Sequence, residues 1–497
     1  MVRTQTTFAT SSKVLQKIYD GALDVLFSSV KPFGTRRVLT GGVDSSTTTL
    51  HSEVIGASTL SFYDLEAAFD TVQAFLATAR EDGRLASSIT CREGAIIPHY
   101  SALTGLCFAE EALGLYYLTR KKDGQYLDLL LRVLLDFDSY LWAHHDLNFN
   151  HCLEVFSEEE TEEGVGSTRF MPIRVDHHGE MRAVSPFPVE TADLMACNVS
   201  IRHAIAHIYS LKGDPENAKE WAMKAMDLQA YVKEDLWVES ESACFDRDYR
   251  GNVMDTLSIS NLLMMYYGAF DKEMADAFMA RYMYARDGFG TSMPLPTIAR
   301  GDRHFMNETH SNFNGQPRGT TYSRAIGALE KYGHLSYLTM IGDKLLSNIE
   351  ENGVYAEQFD PFTGVPAGKE QYLPTAVATL EMITRFFGVR PQLDRMVWGA
   401  LGHGEEYSSD YCFTWGSDTF RLFCESQTST GYINDQRLFT VSNGVRVVTD
   451  IYGNEPRVMN VTDAAIDCVF VYRDRAFSFT LKPDEKWSMP APSGKRK

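Results

Sequence analysis

Apolar residues recur three and four positions apart along most of the chain, from residue 11 to residue 388, and this period predicts helices. Residues 11–27 carry the stripe Val14, Leu15, Ile18, Tyr19, Leu23 and Leu26, and residues 60–80 carry Leu65, Phe69, Val72 and Phe75. Residues 100–119 are apolar on nearly every side, whereas 126–142 confine Leu127, Leu130, Leu134, Phe137 and Leu141 to one broad face. The first pattern suits an inner helix and the second an outer one. Helical segments continue at 190–211, at 254–268 with 272–284, at 320–331 with 335–351, and at 372–388, roughly six pairs in all. The sharpest boundary is Lys212-Gly213-Asp214-Pro215, with Gly past the end of one helix, Asp as the N-cap of the next and Pro at its first position.

From residue 408 the period changes to two. Short alternating segments at 439–442, 445–451, 468–472 and 476–481 are separated by turn residues such as Asn443-Gly444 and Gly453-Asn454. The chain therefore divides into a helical unit, 1–405, and a small β-rich unit, 406–497. Ala218, Trp221, Ala222 and Ala225 resemble a tetratricopeptide unit, but no constant period extends them into a solenoid. Four polar stretches interrupt the helices: 41–57, the long excursion 144–188, and the pair NFNGQPRGTTYSR (312–324) and VYAEQFDPFTG (354–364) on either side of one helical segment. Long loops inside a compact unit are usually either functional or disordered.

Composition narrows the function. With 44% hydrophobic and 12% aromatic residues the chain can bury a large core. The 47 Lys and Arg against 66 Asp and Glu leave a formal charge of −19, which repels nucleic acid and anionic lipid. Eight scattered cysteines without a Cys-x-x-Cys pair read as reduced thiols, and no apolar run has the length of a signal peptide core or a membrane span. These features predict a cytoplasmic protein with no nucleic-acid or membrane partner; homo-oligomerisation is left open. His177 and His178 have no third ligand at a metal-site spacing, so no metal is expected.

A ring of paired helices leaves a funnel lined by its loops. Sugar chemistry there calls for aromatic faces, acceptors for hydroxyls and two carboxyl groups across the bond. The loops supply His51 and Glu53; Arg92, Glu93, His99 and Tyr100; Arg169 and Phe170; Asn314, Gln316 and Arg318; and Glu357, Gln358 and Asp360.

In this order the features resemble the (α/α)6-barrel glycoside hydrolases of the clan that holds family 63 α-glucosidases, mannosylglycerate and glucosylglycerate hydrolases and, more distantly, trehalases. The likeness runs over about residues 50–389. AEQFDPFTGVPAG (356–368) is similar to the family pattern AEYYEPFTGEPLG, whose first acid is the general base, here Glu357. Arg318, Gly319 and Tyr322 resemble an Arg-Gly-Pro-x-Trp segment, DGFGTSMPLPT (287–297) resembles the loop before it, and Asp193 matches a family acid. The resemblance implies a mainly α fold, an (α/α)6 toroid with a small C-terminal β module. It also implies an inverting glycosidase that acts on a small α-glycoside without a cofactor. The substrate-binding set would be Glu53, His51, His99, Tyr100, Arg169, Asp193, Gln316, Arg318, Tyr322, Gln358 and Gln371.

The chain also departs from the pattern. The family's Trp-Ser-Trp-Asp appears as His51-Ser52-Glu53, and its Gln-Pro-Pro as Pro98-His99-Tyr100. The general-acid motif, Gly-x-Asp-Asn-Ser-Pro-Arg, resembles residues 164–170, where Val165 or Gly166 stands at the acid position and neither donates a proton. Glu162 and Glu163, or more distantly Glu154, are the carboxyls near enough in sequence to take over. Two other readings keep the fold: a lyase, isomerase or cyclase acting on a less polar metabolite, and a ligand-binding protein without catalysis.

Overall fold

In a computed structural model the helical period becomes twelve α-helices among the described residues. These residues are 2–490 without 101–107, 162–165, 171–172, 176–180, 184, 310–312 and 405–406; of 173–175 and 181–183 only the backbone is described. The helices are α1 (Lys13–Ser28), α2 (Glu53–Leu60), α3 (Leu65–Leu76), α4 (Ala109–Leu118), α5 (Gly124–His144), α6 (Ala192–Leu211), α7 (Pro215–Tyr231), α8 (Ser260–Tyr267), α9 (Lys272–Phe278), α10 (Gly319–Tyr332), α11 (Leu335–Asn352) and α12 (Leu373–Phe387). The helix expected over 60–80 is the shorter α3, capped by Asp64, and the stretch 41–57 expected as a polar loop runs into a helix of its own, α2, from Glu53.

The even-numbered helices touch in a closed cycle, α2 to α4, α6, α8, α10, α12 and back to α2. Helices α3, α5, α7 and α11 lie against the even helix before each, and α1 against α12. Burial follows the split in the sequence. Helix α12 buries every residue except Glu381, whereas α1 buries only Ile18, Tyr19, Ala22, Val25 and Leu26. The connections alternate in length. Even helices pass to odd ones through tight turns, where Asp64, Asp123, Asp214 and Asp271 accept the first free N–H groups of α3, α5, α7 and α9. Odd helices pass to even ones through long loops, and among the described residues no even helix has a side-chain cap. The long loops thus gather at one end of the cycle, facing the positive ends of the even helices.

Two sheets cover the opposite end. One has seven strands, in the order Thr4–Thr10, Ser409–Trp415, Asp418–Cys424, Thr428–Ile433, Gln436–Ser442, Ile466–Tyr472, Arg475–Leu481. The other has five: Val389–Gln392, Arg395–Ala400, Val445–Asp450, Arg457–Asn460 and Lys486–Ser488. Trp398 of the smaller sheet meets Phe439 of the larger edge to face, ring centroids 5.4 Å apart. Strands on both sides of residue 405 share a sheet, and the outermost strand of the larger one comes from the N-terminus, pairing Phe8 with Tyr411. That strand, TQTTFAT, has one large apolar residue, too little for the period to show.

The sheets meet the tight turns through specific bonds. Thr4 and Thr6 donate to the carbonyls of Ser61 and Phe62 at 2.7 and 2.9 Å, and the Trp415 indole donates to Leu118 O at 2.8 Å. At the centre of the join Glu330 of α10 accepts from Arg385 of α12 at 2.8 and 3.0 Å and from Arg446 of the five-stranded sheet at 2.6 Å. Burial alone would raise the Glu330 carboxyl, but the guanidiniums of Arg385 and Arg446 outweigh it and hold the group down at about 2. The native state therefore binds fewer protons at this site than the unfolded chain. The stabilisation is complete above the ordinary glutamate value of 4.5 and is lost as the pH falls through about 2. Glu330→Gln leaves these buried guanidiniums short of a charge and is expected to cost about 3–5 kcal/mol in urea unfolding at neutral pH. The difference from wild type should close in strong acid, and an unshifted urea midpoint would show that the join does not depend on this carboxylate.

Candidate active site

Helix α11 ends at Gly353, whose φ of 72° only glycine adopts freely, and the chain turns into the loop 353–372. Here Glu357 is held on both sides by backbone. Its N–H donates to Lys369 O at 2.8 Å, and its carbonyl accepts from Gly319 N–H at 3.1 Å. Phe359 N–H donates to Pro317 O at 3.0 Å, so residues 357–359 form the middle rail between 317–319 and 366–369. The turn that follows is closed by Asp360, which accepts from Phe362 and Thr363 N–H at 2.9 and 2.8 Å. Gly368, at φ 76°, lies flat against Glu357; a Cβ there would come within 2.9 Å of the glutamate side chain. Thr375 in the first turn of α12 donates to Ala356 O at 2.6 Å, which ties this rail to the cycle of helices.

The Glu357 carboxylate pairs with the Arg318 guanidinium at 2.7 Å. The Arg318 side chain is 8% exposed, stands over the Phe313 ring at 4.7 Å, and has no partner for Nε or Nη1 among the described residues. Two donors are therefore available beside the carboxylate. Tyr372, just before α12, is pushed up to about 12 by burial, with Glu357 and Glu53 among its charged neighbours and Arg318 opposing; it stays a neutral phenol. Glu53 opens α2 and is 2% exposed. Its Oε2 accepts both the N–H of Thr49 and, at 2.6 Å, its hydroxyl. Burial nonetheless pushes the carboxyl up to about 7, against the Thr49 bonds and the charge of Lys369. His51 is lowered to about 3 by burial and then by Arg324 and Arg318, so it is a neutral imidazole at physiological pH. Arg324 donates to His51 O at 2.9 Å.

One cluster thus holds two carboxyls of unlike character, Glu357 paired with a cation and Glu53 neutral below about pH 7. It gathers Glu53, His51 and Arg318 from the expected set. A second group is built on Arg169, which reaches Asp193 at 2.9 Å and Asp246 at 2.6 and 2.8 Å, all three buried. Thr168 N–H donates to Asn314 Oδ1 at 2.7 Å and Asn314 Nδ2 to Gly166 O at 3.0 Å, so residues 166–170 are docked on the loop that carries Arg318. Arg169 and Asp193 meet each other in this network.

The other expected residues are placed as follows. Gln316 is buried and donates to Asn307 at 3.0 Å, and Gln358 lies in the rail beside Glu357. Tyr322 is fully buried and donates to Pro294 O at 2.7 Å. Gln371 is exposed and pairs with Tyr355 through backbone. His99 lies on the exposed strand Ala95–His99 against Thr90 at 3.1 Å, and Tyr100 donates to Thr78 O at 2.7 Å in a separate hollow with Phe33 and Pro98. Neither bonds to a residue of the Glu357 cluster among the described residues, although His99 shares a three-stranded sheet with Thr49. Glu154 is buried and accepts from Leu147 N–H and Asn148 at 3.2 and 3.3 Å. Glu162, Glu163, His177 and His178 lie outside the described residues. Sequence reasoning missed Arg324, Lys369 and Tyr372; each is a lone residue of a common type, and only the position of Tyr372 directly before Leu373-Pro374, a helix start, could have drawn notice. No group of three metal-ligating side chains occurs among the described residues.

Solved structures share this fold. The GH63 mannosylglycerate hydrolase of Thermus thermophilus, in complex with glucose, superposes with a TM-score of 0.61 at 18% identity, covering 74% of this chain and 100% of its own. A sialidase covers 90% of this chain and 41% of its own, at 11% identity and a TM-score of 0.67. The neutral trehalase of Saccharomyces cerevisiae covers 70% and 73%, at 14% identity and a TM-score of 0.51. At such identities the likeness is one of fold. The sequence model of the mannosylglycerate hydrolase MGH1-like glycoside hydrolase domain matches residues 121–375, a span that holds Arg318 and Glu357, and the chain belongs to that family.

Proposed function

We propose that this chain hydrolyses a small α-glycoside with inversion, in a funnel at the loop end of an (α/α)6 toroid, with Glu357 as the general base. The observation that carries the reading is an Arg318-bound carboxylate and a second carboxyl raised by burial, Glu53, both within electrostatic reach of Tyr372. Arg318 holds the Glu357 carboxylate in place. The base takes one proton from a water molecule, whose oxygen bonds to the anomeric carbon as the glycosidic C–O bond breaks. The departing oxygen needs a proton at the same moment, and Glu53 is the group that supplies it. Glu53 then becomes the carboxylate and Glu357 the acid, and exchange with solvent restores both. Neutral His51 and Tyr372 and the free N–H groups of Arg318 are suited to sugar hydroxyls. A substrate of this size agrees with the mannosylglycerate hydrolase that gives the family its description.

Four outcomes test the assignment. Glu357→Gln should lower release of free sugar from small α-glucosides and α-mannosides by about 10³-fold; activity that survives the change would remove Glu357 from the role. For wild type, kcat/KM should fall as the pH rises through about 7, where Glu53 loses its proton. Glu53→Gln should abolish that limb and hydrolyse aryl glycosides with good leaving groups far better than sugar glycosides, while Glu162→Gln and Glu163→Gln keep the wild-type profile. If Glu162→Gln or Glu163→Gln shows the leaving-group dependence instead, the proton comes from the excursion. Gly368→Ala, which drives a methyl into Glu357 in a left-handed position, should cut kcat more than it lowers thermal stability.

A further inference from the structure

A chamber of about 550 Å³ lies inside the helix cycle, lined by all six even helices and bounded by the five-stranded sheet at the tight-turn end. Its charged wall is an alternating chain of five side chains, Arg390, Glu381, Arg385, Glu330 and Arg446. Glu381 accepts from both Arg390 and Arg385, and Glu330 from both Arg385 and Arg446. Three guanidiniums thus share two carboxylates, and one positive charge is left over. It sits at the ends of the chain. Arg390 and Arg446 are 13% and 7% exposed, and the Nε of each has no hydrogen-bond partner among the described residues. Burial lowers the proton affinity of both, as expected for cations short of a counter-charge.

The rest of the lining does not supply the missing charge. Lys331 and Glu110 pair with each other at 2.8 Å where the chamber opens to solvent. Glu111 is pushed up to about 7 by burial and by Glu110, and hydrogen-bonds to Tyr266. His203 and His207 are lowered by burial and stay neutral. An unpaired charge held in a desolvated wall is costly, and a mobile anion removes that cost.

We propose that this chamber binds a small oxyanion of the phosphate type, held between Arg390 and Arg446 at the junction of the sheet and the helices. Guanidinium N–H pairs suit tetrahedral oxyanions in geometry and charge. The chamber is far larger than the ion, so the phosphate can be inorganic or carried on a polyol.

Differential scanning fluorimetry and calorimetry on the full chain, with sodium phosphate against sodium chloride at equal ionic strength, test this directly. Wild type should show a saturable rise in Tm with phosphate and none with chloride. Arg390→Met should raise the half-saturating concentration about tenfold, the worth of one charge-assisted hydrogen bond. Glu330→Gln should shift it the other way, because it adds to the excess of cations; Glu381→Gln serves as the second variant of that sign if the first does not fold. Glu357→Gln, at the opposite end, should leave the phosphate response unchanged whatever it does to hydrolysis. A hexose phosphate that binds more tightly than both phosphate and the free hexose identifies an ester, and equal binding of ester and phosphate identifies the inorganic ion. Phosphate acting no differently from chloride, or an Arg390→Met response equal to wild type, would overturn the assignment.

Discussion

The closure of the even helices on one another sets the terms for the rest of the molecule. A helix inside a closed cycle is apolar nearly all round, so its polar chemistry can appear only at its two ends. The connections sort those ends. Tight, aspartate-capped turns gather on one side and long loops on the other, and every residue of the Glu357 cluster comes from a long loop or the first two turns of α2, α10 and α12. Each end then meets the same difficulty, which is to keep charged groups out of water without leaving them unpaired.

The loop end solves it with backbone. Glu357 is placed by two rails of main-chain hydrogen bonds, and its charge is answered by one arginine. Glu53, which has the N–H and hydroxyl of Thr49 as donors but no arginine bonded to it among the described residues, is left to burial and becomes a neutral acid. Two carboxyls of the same chemical kind thus stand in unlike surroundings, one paired with an arginine and one raised by burial. The sheet end solves the difficulty with side chains. Glu330 and Glu381 bridge three arginines drawn from α12 and from two strands, so the same bonds that join sheet to helices form the charged wall of the chamber inside the cycle.

Much of this was legible in the residues. The change of hydrophobic period foretold strands after the helices, although they begin at Val389, ahead of residue 408; the Lys212-Gly213-Asp214-Pro215 boundary fell where expected; and Arg318, expected as a substrate ligand, pairs with the Glu357 that the AEQFDPFTG stretch singled out. The strand Thr4–Thr10 was not legible, since Phe8 is its one large apolar group and its place depends on Ser409–Trp415, near the far end of the chain. His99 and Tyr100 were drawn into the expected site by motif order alone, but a hairpin turns them toward Thr90 and Thr78. Arg169 and Asp193 were matched as ligands of a substrate; in the folded chain they bond to each other.

By itself, then, the sequence determined the local choices: which segments coil, where they are capped, which loop carries the carboxylate at Glu357 and where glycine must stand. These depend on neighbours within a few residues, and short-range sterics and hydrogen bonding decide them. The tertiary structure alone decided which charges find partners. Whether a carboxyl is bridged by arginine, as at Glu357 and Glu330, or is raised by burial, as at Glu53, depends on groups far off in the chain and cannot be read from spacing.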